Sequence, residues 1–251
     1  MERLHKILAE AGLGSRRKCE SLITSGRVSV NGKRITKMGQ VADSTKDSIY
    51  CDGEPIKRQK KIYYLLNKPR GFVCTNVENS KAPRAIDLLS NIEQRIYTVG
   101  RLDKESEGLI IITNDGELAN LLSHPRYGIE KTYLAEVKGR VTDETIRSLK
   151  KGVWISEGKA LPARVKVLHR KFKYSVLEIT LREGKNREIR RILAKIDHPV
   201  VSLRRIKIGP LKVSQNLKVG KYRSLNKVEV ESLYSLAVPV NTFKKRKMEK
   251  V

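Results

Sequence analysis

The sequence predicts a two-domain α+β protein. Three observations carry that expectation. Roughly the first fifty residues hold two short amphipathic helical patterns and a hairpin signal, enough for a small unit of its own. A polar stretch follows, Asp52-Gly53-Glu54-Pro55 with Lys57, Arg58, Lys60 and Lys61, and reads as a linker. From residue 62 onward, strand patterns alternate with short helical ones over a length that suits one larger domain.

Composition narrows the partners. The 251 residues include 53 Lys and Arg against 27 Asp and Glu, a net charge of +26. That excess favours a polyanion, bound through phosphate contacts and counterion release. The basic residues are interleaved with apolar periodic segments, as in a folded chain. A membrane surface is the rival polyanion, but no apolar run approaches a spanning helix and aromatic anchors are sparse. The chain opens on a charged helical pattern with no signal peptide, so a cytoplasmic location is expected. Cys19, Cys51 and Cys74 are odd in number and far apart, which argues against structural disulfides and fits a reducing compartment. His5, His124, His169 and His198 show no paired ligand spacing, and no metal site is expected.

In the N-terminal unit, Leu4, Ile7, Leu8 and Ala11 share one helical face, and Gly12 and Gly14 end that helix. Ser15 is placed to cap a second helix with Cys19, Leu22 and Ile23 inward, ended by Gly26. Val28-Ser29-Val30 alternates as a strand, and Asn31-Gly32 is a two-residue hairpin signal. Arg16, Arg17 and Lys18 crowd the first turn of the second helix, where cations oppose the helix dipole. A phosphate docked there would relieve that cost. Ser15, Arg27 and Lys33, with Arg3 and Arg34, extend the same candidate RNA-binding face; a plain soluble basic helix pair is the competing reading. The order Leu-x-x-Ile-Leu, Gly-x-x-Ser-Arg-Arg, Gly-Arg-Val-x-Val-Asn-Gly is similar to S4-type domains, which grip structured RNA.

The larger domain opens with Ile62-Tyr63-Tyr64-Leu65-Leu66, a strand stopped by Pro69 and Gly71. Asp87-Leu88-Leu89 and the Tyr97-Thr98-Val99 strand lead to Gly100-Arg101-Leu102-Asp103. The apolar run Ile110-Ile111-Ile112 then reads as a buried strand, and Asn114-Asp115-Gly116 turns into a helix with Leu118, Leu121 and Leu122 inward. Asp103 thus sits on a loop feeding a core strand. On spacing alone it is equally a solvated loop carboxylate. Gly-Arg-Leu-Asp, followed by Ser106, Gly108, Leu109 and Thr113-Asn114-Asp115-Gly116, resembles the catalytic segment of bacterial ribosomal RNA pseudouridine synthases that carry an N-terminal S4-type domain. Ser90 departs from a frequent family Pro in a loop away from the chemistry.

Tyr133 lies in the strand Tyr133–Val137, opened by Glu130-Lys131-Thr132. A strand tyrosine is commonly a core aromatic; the resemblance implies an active-site tyrosine that stacks on the target base. Thr142 caps a short helix ended by Gly152. The strand through Val176, Ile179 and Leu181 passes Gly184 into a helix with Ile189, Ile192, Leu193 and Ile196 buried. Arg187 and Arg191 stand on its basic face and Arg190 adjoins the apolar stripe, where a guanidinium wants a fixed anionic partner. The segment Leu181–Ile192 resembles the family's final motif, which implies that Arg190 pairs with Asp103. The wording Lys185-Asn186-Arg187-Glu188 resembles the members acting on large-subunit rRNA, and Lys185, Asn186 and Arg187 join Arg101 as expected RNA contacts. Val200–Ile208 reads as a last strand. Residues 237–251 read as a basic, disordered tail.

The resemblance implies isomerisation of a specific uridine in ribosomal RNA: the uracil N1–C1′ bond breaks, the base turns, and C5 rejoins the sugar. The leaving group is also the reagent, so no cofactor is expected, and no nucleotide-binding Gly-rich loop is present. Asp103 would act as nucleophile or base at the ribose, and an Arg beside it favours the ionised carboxylate. Arg101 would fill the space left by the flipped base or hold the adjoining phosphate. The alternative is a non-catalytic RNA-binding or ribosome-assembly protein; a hydrolase using Glu105 or Glu107 with Asp103 stands further off. The expected organisation is an S4-type domain over 1–55 and a catalytic domain over 62–236 built on a mixed, mainly antiparallel sheet. A monomer is expected by analogy.

Overall fold

The computed structural model describes residues 1–236. The expected tail, 237–251, lies outside the described residues. The chain divides into two compact units. One comprises Met1–Ile62 with Asn91–Ile96 and Asn114–Gly116, and the other Tyr63–Ser90, Tyr97–Thr113 and the described chain from Glu117 onward.

In the N-terminal unit, β1 (Glu2–Arg3) leads into α1 (Leu4–Glu10), and α2 (Arg16–Thr24) follows. Ser15 Oγ accepts the Lys18 amide at 3.1 Å, the side-chain cap that its position predicts. Leu4, Ile7 and Leu8 from α1 meet Cys19, Leu22 and Ile23 from α2 in one apolar core. Strands β2 (Val28–Val30) and β3 (Lys33–Ile35) form the expected hairpin, with Asn31 at φ 51° and Gly32 at φ 76°. Two left-handed residues are what a primed two-residue turn requires. The strand β4 (Val41–Ala42) pairs with β1, and β5 (Ile49–Cys51) pairs with β2.

One expectation is corrected here. Asp52-Gly53 is a second primed turn, with φ 53° and 82°, joining β5 to β6 (Glu54–Pro55). The Asp-Gly pair is itself a hairpin signal, so the polar connecting stretch begins after Pro55.

The larger unit is organised by a nine-stranded sheet. Its strands are β7 (Tyr63–Lys68), β8 (Tyr97–Thr98), β9 (Glu107–Thr113), β10 (Lys131–Lys138), β13 (Arg164–Arg170), β14 (Tyr174–Leu181), β15 (Val200–Ile208), β16 (Leu211–Lys212) and β17 (Tyr222–Ser224); a separate hairpin, β11 (Val153–Ile155) and β12 (Gly158–Ala160), stands outside it. The central order is β13-β14-β10-β15-β9-β7-β17. All pairings are antiparallel except β15 with β9, where Arg204 faces Glu107 and Arg205 faces Gly108. The sheet is therefore mixed and mainly antiparallel. Leu109 to Ile112 are each fully buried, as expected of a central strand covered on both faces.

Helices pack around this sheet. In α3 (Gly116–Ser123), Leu118, Leu121 and Leu122 face the core with Leu65, Leu109, Ile111 and Ile208. Thr142 caps α4 (Asp143–Lys151) through the Thr145 amide at 3.1 Å. α5 (Glu188–Ala194) buries Ile189, Ile192 and Leu193, and α6 (Lys227–Tyr234) starts on an Asn226–Glu229 capping box. Gly108 carries φ 105°, and a Cβ built there would collide with the Arg205 carbonyl oxygen and lie 2.7 Å from the Arg205 nitrogen. Only glycine lets the two parallel strands approach this closely.

Candidate active site

Asp103 lies in the loop between β8 and β9, and backbone contacts fix that loop on both sides. The Leu102 amide donates to Cys74 Sγ at 3.4 Å, the Ser106 amide donates to the Asp103 carbonyl at 3.0 Å, and the Gly71 amide donates to the Lys104 carbonyl at 2.8 Å. Below it, the fully buried Lys68 donates from Nζ to the carbonyls of Pro69 and Phe72 at 2.9 and 2.8 Å. Burial is the main cause that lowers the Lys68 pKa. The Asp103 side chain keeps 27% exposure, so its carboxylate is open to a ligand while the backbone behind it is held.

Tyr133 enters from the start of β10, opposite Ile179 on β14 and Arg205 on β15. The register with β15 shifts between Thr132 and Tyr133, an irregularity of the kind that re-aims side chains beside active sites. The ring is buried, with the Arg205 guanidinium carbon 6.0 Å from its centroid. Arg205 is itself buried and donates from Nε to the Leu109 carbonyl at 2.6 Å.

The third side comes from the turn into α5. Arg187 is left-handed at φ 47°, and its Nη1 stands 3.9 Å from Asp103 Oδ2 and 3.2 Å from Glu105 Oε2. Arg190 sits deeper. It donates from Nη2 to the Glu105 carbonyl and to Ser106 Oγ, both at 3.4 Å, and from Nη1 to the Val200 carbonyl at 3.4 Å. Burial lowers its pKa, with Arg187 adding to the effect and Asp103 and Glu105 opposing it. Beside them, Glu188 is buried and accepts the Lys185 amide at 3.0 Å; burial first, then Glu183, push its pKa up to about 7. Lys131 is pushed down to about 8 by burial and by Arg205.

These segments enclose a cleft of about 220 Å³ lined by Arg101, Asp103, Tyr133, Lys185, Asn186, Arg187 and Glu188, among others. A carboxylate, a cation and an aromatic ring converge there from three separate parts of the chain. Such a set can hold a flat polar ring and act on the atom beside it with a nucleophile or base. Among the described residues, no cluster of His, Cys, Asp and Glu is placed to hold a metal ion.

Residues 62–195 match the sequence profile of the RNA pseudouridylate synthase family. The chain belongs to that family. Residues 2–44 match the S4 domain. The synthase is 43% identical over 239 residues to the ribosomal large subunit pseudouridine synthase B of Bacillus subtilis, covering 94% of this chain and 97% of that one. It is 37% identical to the Pseudomonas aeruginosa protein of the same description, across 92% of this chain and 61% of the other. A crystal structure of a pseudouridylate synthase superposes with a TM-score of 0.68 at 28% identity, covering 93% of this chain and all of that one. Family membership favours an enzyme over the non-catalytic alternative.

Two arginines stand about Asp103. Arg187 Nη1 is within ion-pair distance of its carboxylate, while Arg190, the partner that the resemblance implies, feels the Asp103 charge and hydrogen-bonds the Glu105 carbonyl and Ser106 Oγ behind it. Arg187, expected on the basic face of α5 as an RNA contact, is the left-handed N-cap of that helix, and from there its guanidinium reaches Asp103 and Glu105. Arg101, Lys185, Asn186 and Arg187, the RNA contacts expected for this domain, all line the cleft. In the S4 unit, Arg16, Arg17, Lys18 and Lys33 are exposed, whereas Ser15 is engaged as a cap. Arg27 holds Asp52 through two bonds of 2.6 and 2.7 Å, so its charge is already matched. Sequence patterns did not point to Glu188, which lines the cleft. Arg205 left a signal that went unread, since the alternation Leu203, Arg205 sets a charge on the buried face of β15.

Proposed function

We propose that this synthase converts a specific uridine of large-subunit ribosomal RNA to pseudouridine, with Asp103 as the reacting carboxylate. The convergence of Asp103, Tyr133 and Arg187 on one cleft supports the reading above all else. The similarity to the two large subunit synthases supports the choice of RNA. In this reading Arg187 pairs with the Asp103 carboxylate and Arg190 positions the loop that carries it. The carboxylate attacks the ribose at C1′ or removes a sugar proton, either of which releases uracil to turn and rejoin through C5. Extruding the base from its stack costs a few kcal/mol, roughly, and stacking on Tyr133 returns about 1–3 kcal/mol. Arg101 takes the space left behind or the adjoining phosphate. Residues 1–55 supply the RNA grip, through Arg16, Arg17, Lys18 and Lys33, and residues 62–236 the chemistry. The enzyme is taken to work as a cytoplasmic monomer without a cofactor, because the departing base is its own reagent. Among the described residues no helix is long and apolar enough to cross a membrane.

Tritium release from rRNA labelled at uracil C5 tests this. The C5 hydrogen is lost once C5 bonds to the sugar. Wild type is expected to release it, and Asp103→Asn to release none while retaining the RNA on a filter. No release by wild type from either naked rRNA or ribosomal precursor particles would overturn the proposal.

A further inference from the structure

The hairpin of β11 and β12 carries Trp154, the single tryptophan of the chain, with 66% of its surface exposed. Its neighbours Ile155 and Ala160 are buried and fasten the inner face of the hairpin. Trp154 is directly opposite Lys159 in the antiparallel register, so both side chains stand on the outer face. The packing of the hairpin thus leaves a large flat aromatic unsatisfied beside an exposed lysine.

The hairpin is tied to the cleft. Lys185, which lines the cleft, donates from Nζ to the Lys159 carbonyl at 2.9 Å. Arg191 on α5 grips Glu157 at the hairpin tip at 2.6 and 2.7 Å, and also bonds Ser156 Oγ. These contacts hold the Trp154 platform in place against the same segment that supplies Arg187. They also use up the one carboxylate of the hairpin, while Lys151 and Lys159 pair with no carboxylate among the described residues. The surface around the ring is therefore cationic, which matches a polyanion and opposes an apolar protein surface.

We propose that Trp154 stacks on an unpaired base of the substrate RNA, outside the cleft that takes the target uridine, with Lys159 and Lys151 on the flanking phosphates. A π-face on a fixed element accepts any base, so the contact adds grip and register without reading sequence. The inference rests on the proposed function for its ligand, a single-stranded stretch next to the modified nucleotide.

A lone tryptophan makes the test direct. Emission of the full-length enzyme excited at 295 nm is followed while an rRNA fragment is added, with filter retention measured in parallel. Saturable quenching that tracks retention is expected. Retention with unchanged emission would overturn the inference, as would a protein-concentration-dependent blue shift without RNA, which would assign the surface to self-association. In tritium release, Trp154→Ala is expected to raise KM about five- to tenfold, more than it alters kcat, and Trp154→Phe to recover most of the loss. Equal impairment of the two variants would overturn stacking. The two readings fail separately: release by wild type with a silent Trp154 removes only the stacking, and quenching without release removes only the synthase chemistry.

Discussion

Arg187 Nη1 stands 3.9 Å from Asp103 Oδ2, and it does so from a backbone at φ 47°. A residue with a Cβ adopts that conformation at a cost of about 1–2 kcal/mol. Strain kept at a position that aims a guanidinium at a carboxylate is consistent with a functional demand.

Arg187→Gly removes the guanidinium and the strain together. The variant is expected to lose about ten- to hundredfold in kcat/KM, below the loss seen when a fully enclosed electrostatic donor is deleted. Its melting temperature should stay within a few degrees of wild type, because relief of strain offsets the added freedom of the unfolded glycine. Arg190→Ala should lower activity and melting temperature together, since that side chain braces the Glu105–Ser106 backbone. Melting curves beside tritium release check both; a destabilised Arg187→Gly would show that the residue serves the fold.

Arg101 lines the cleft without a share in the Asp103 ion pair. Arg101→Ala is expected to reduce turnover about tenfold or more while changing RNA retention by less than about threefold, since many other cations contribute to binding. Equal losses in turnover and retention would remove the role proposed for it at the flipped nucleotide.

Gly108→Ala tests the parallel junction. A methyl group there would collide with the Arg205 backbone, and φ 105° is hostile to any side chain. The expected cost is about 3 kcal/mol or more in a denaturant titration. A variant as stable as wild type would mean that β9 and β15 can separate without penalty.

Glu188 and Lys131 give the protein a pH signature. The folded pKa of Glu188, about 7, lies above its ordinary 4.5, so the folded state holds that proton more tightly. Stability from this group is full below about 4.5 and is lost as pH rises through about 7. Lys131 has the opposite sense. Its folded pKa of about 8 lies below the usual 10.5, so a penalty persists up to about 8 and is relieved as pH rises from there to about 10.5. The two together place a stability minimum between about 7 and 8. Glu188→Gln should flatten the fall between about pH 5 and 7 and stabilise the protein at pH 8 by about 2 kcal/mol. Denaturant midpoints of the two proteins across this range check it; parallel curves would show that Glu188 ionises freely.

Local chemistry makes much of the fold legible in the amino-acid sequence. The Ser15 and Thr142 caps, the Asn31-Gly32 turn and the buried run at Ile110 follow from interactions that act within a few residues, and each is where those interactions put it. The same local logic locates the Asp103 loop and the Tyr133 strand. It does not supply strand order, because the parallel neighbour of β9 is chosen by packing between segments about a hundred residues apart. For that reason Arg205, which lies under the Tyr133 ring from β15, is hidden as a member of the site until the strands are paired. The reach of Arg187 to Asp103 is hidden for a different cause, since a single left-handed residue breaks the periodic geometry on which face assignments depend.

The parallel pairing of β15 with β9 also sets a schedule. Contacts in the N-terminal unit join mostly near neighbours, whereas the junction at Gly108 needs Arg205 to have been made. Pairing of such high sequence separation carries a large loop-closure cost and is intrinsically slow. At the usual pace of synthesis, the segment from residue 62 to β15 takes on the order of ten seconds to emerge. A nascent chain would thus hold the N-terminal apolar core, which draws only on residues from Leu4 to Ile56, well before the walls of the cleft meet. Whatever those residues bind, they can reach while the Asp103 loop still waits for β15 to close the sheet beside it.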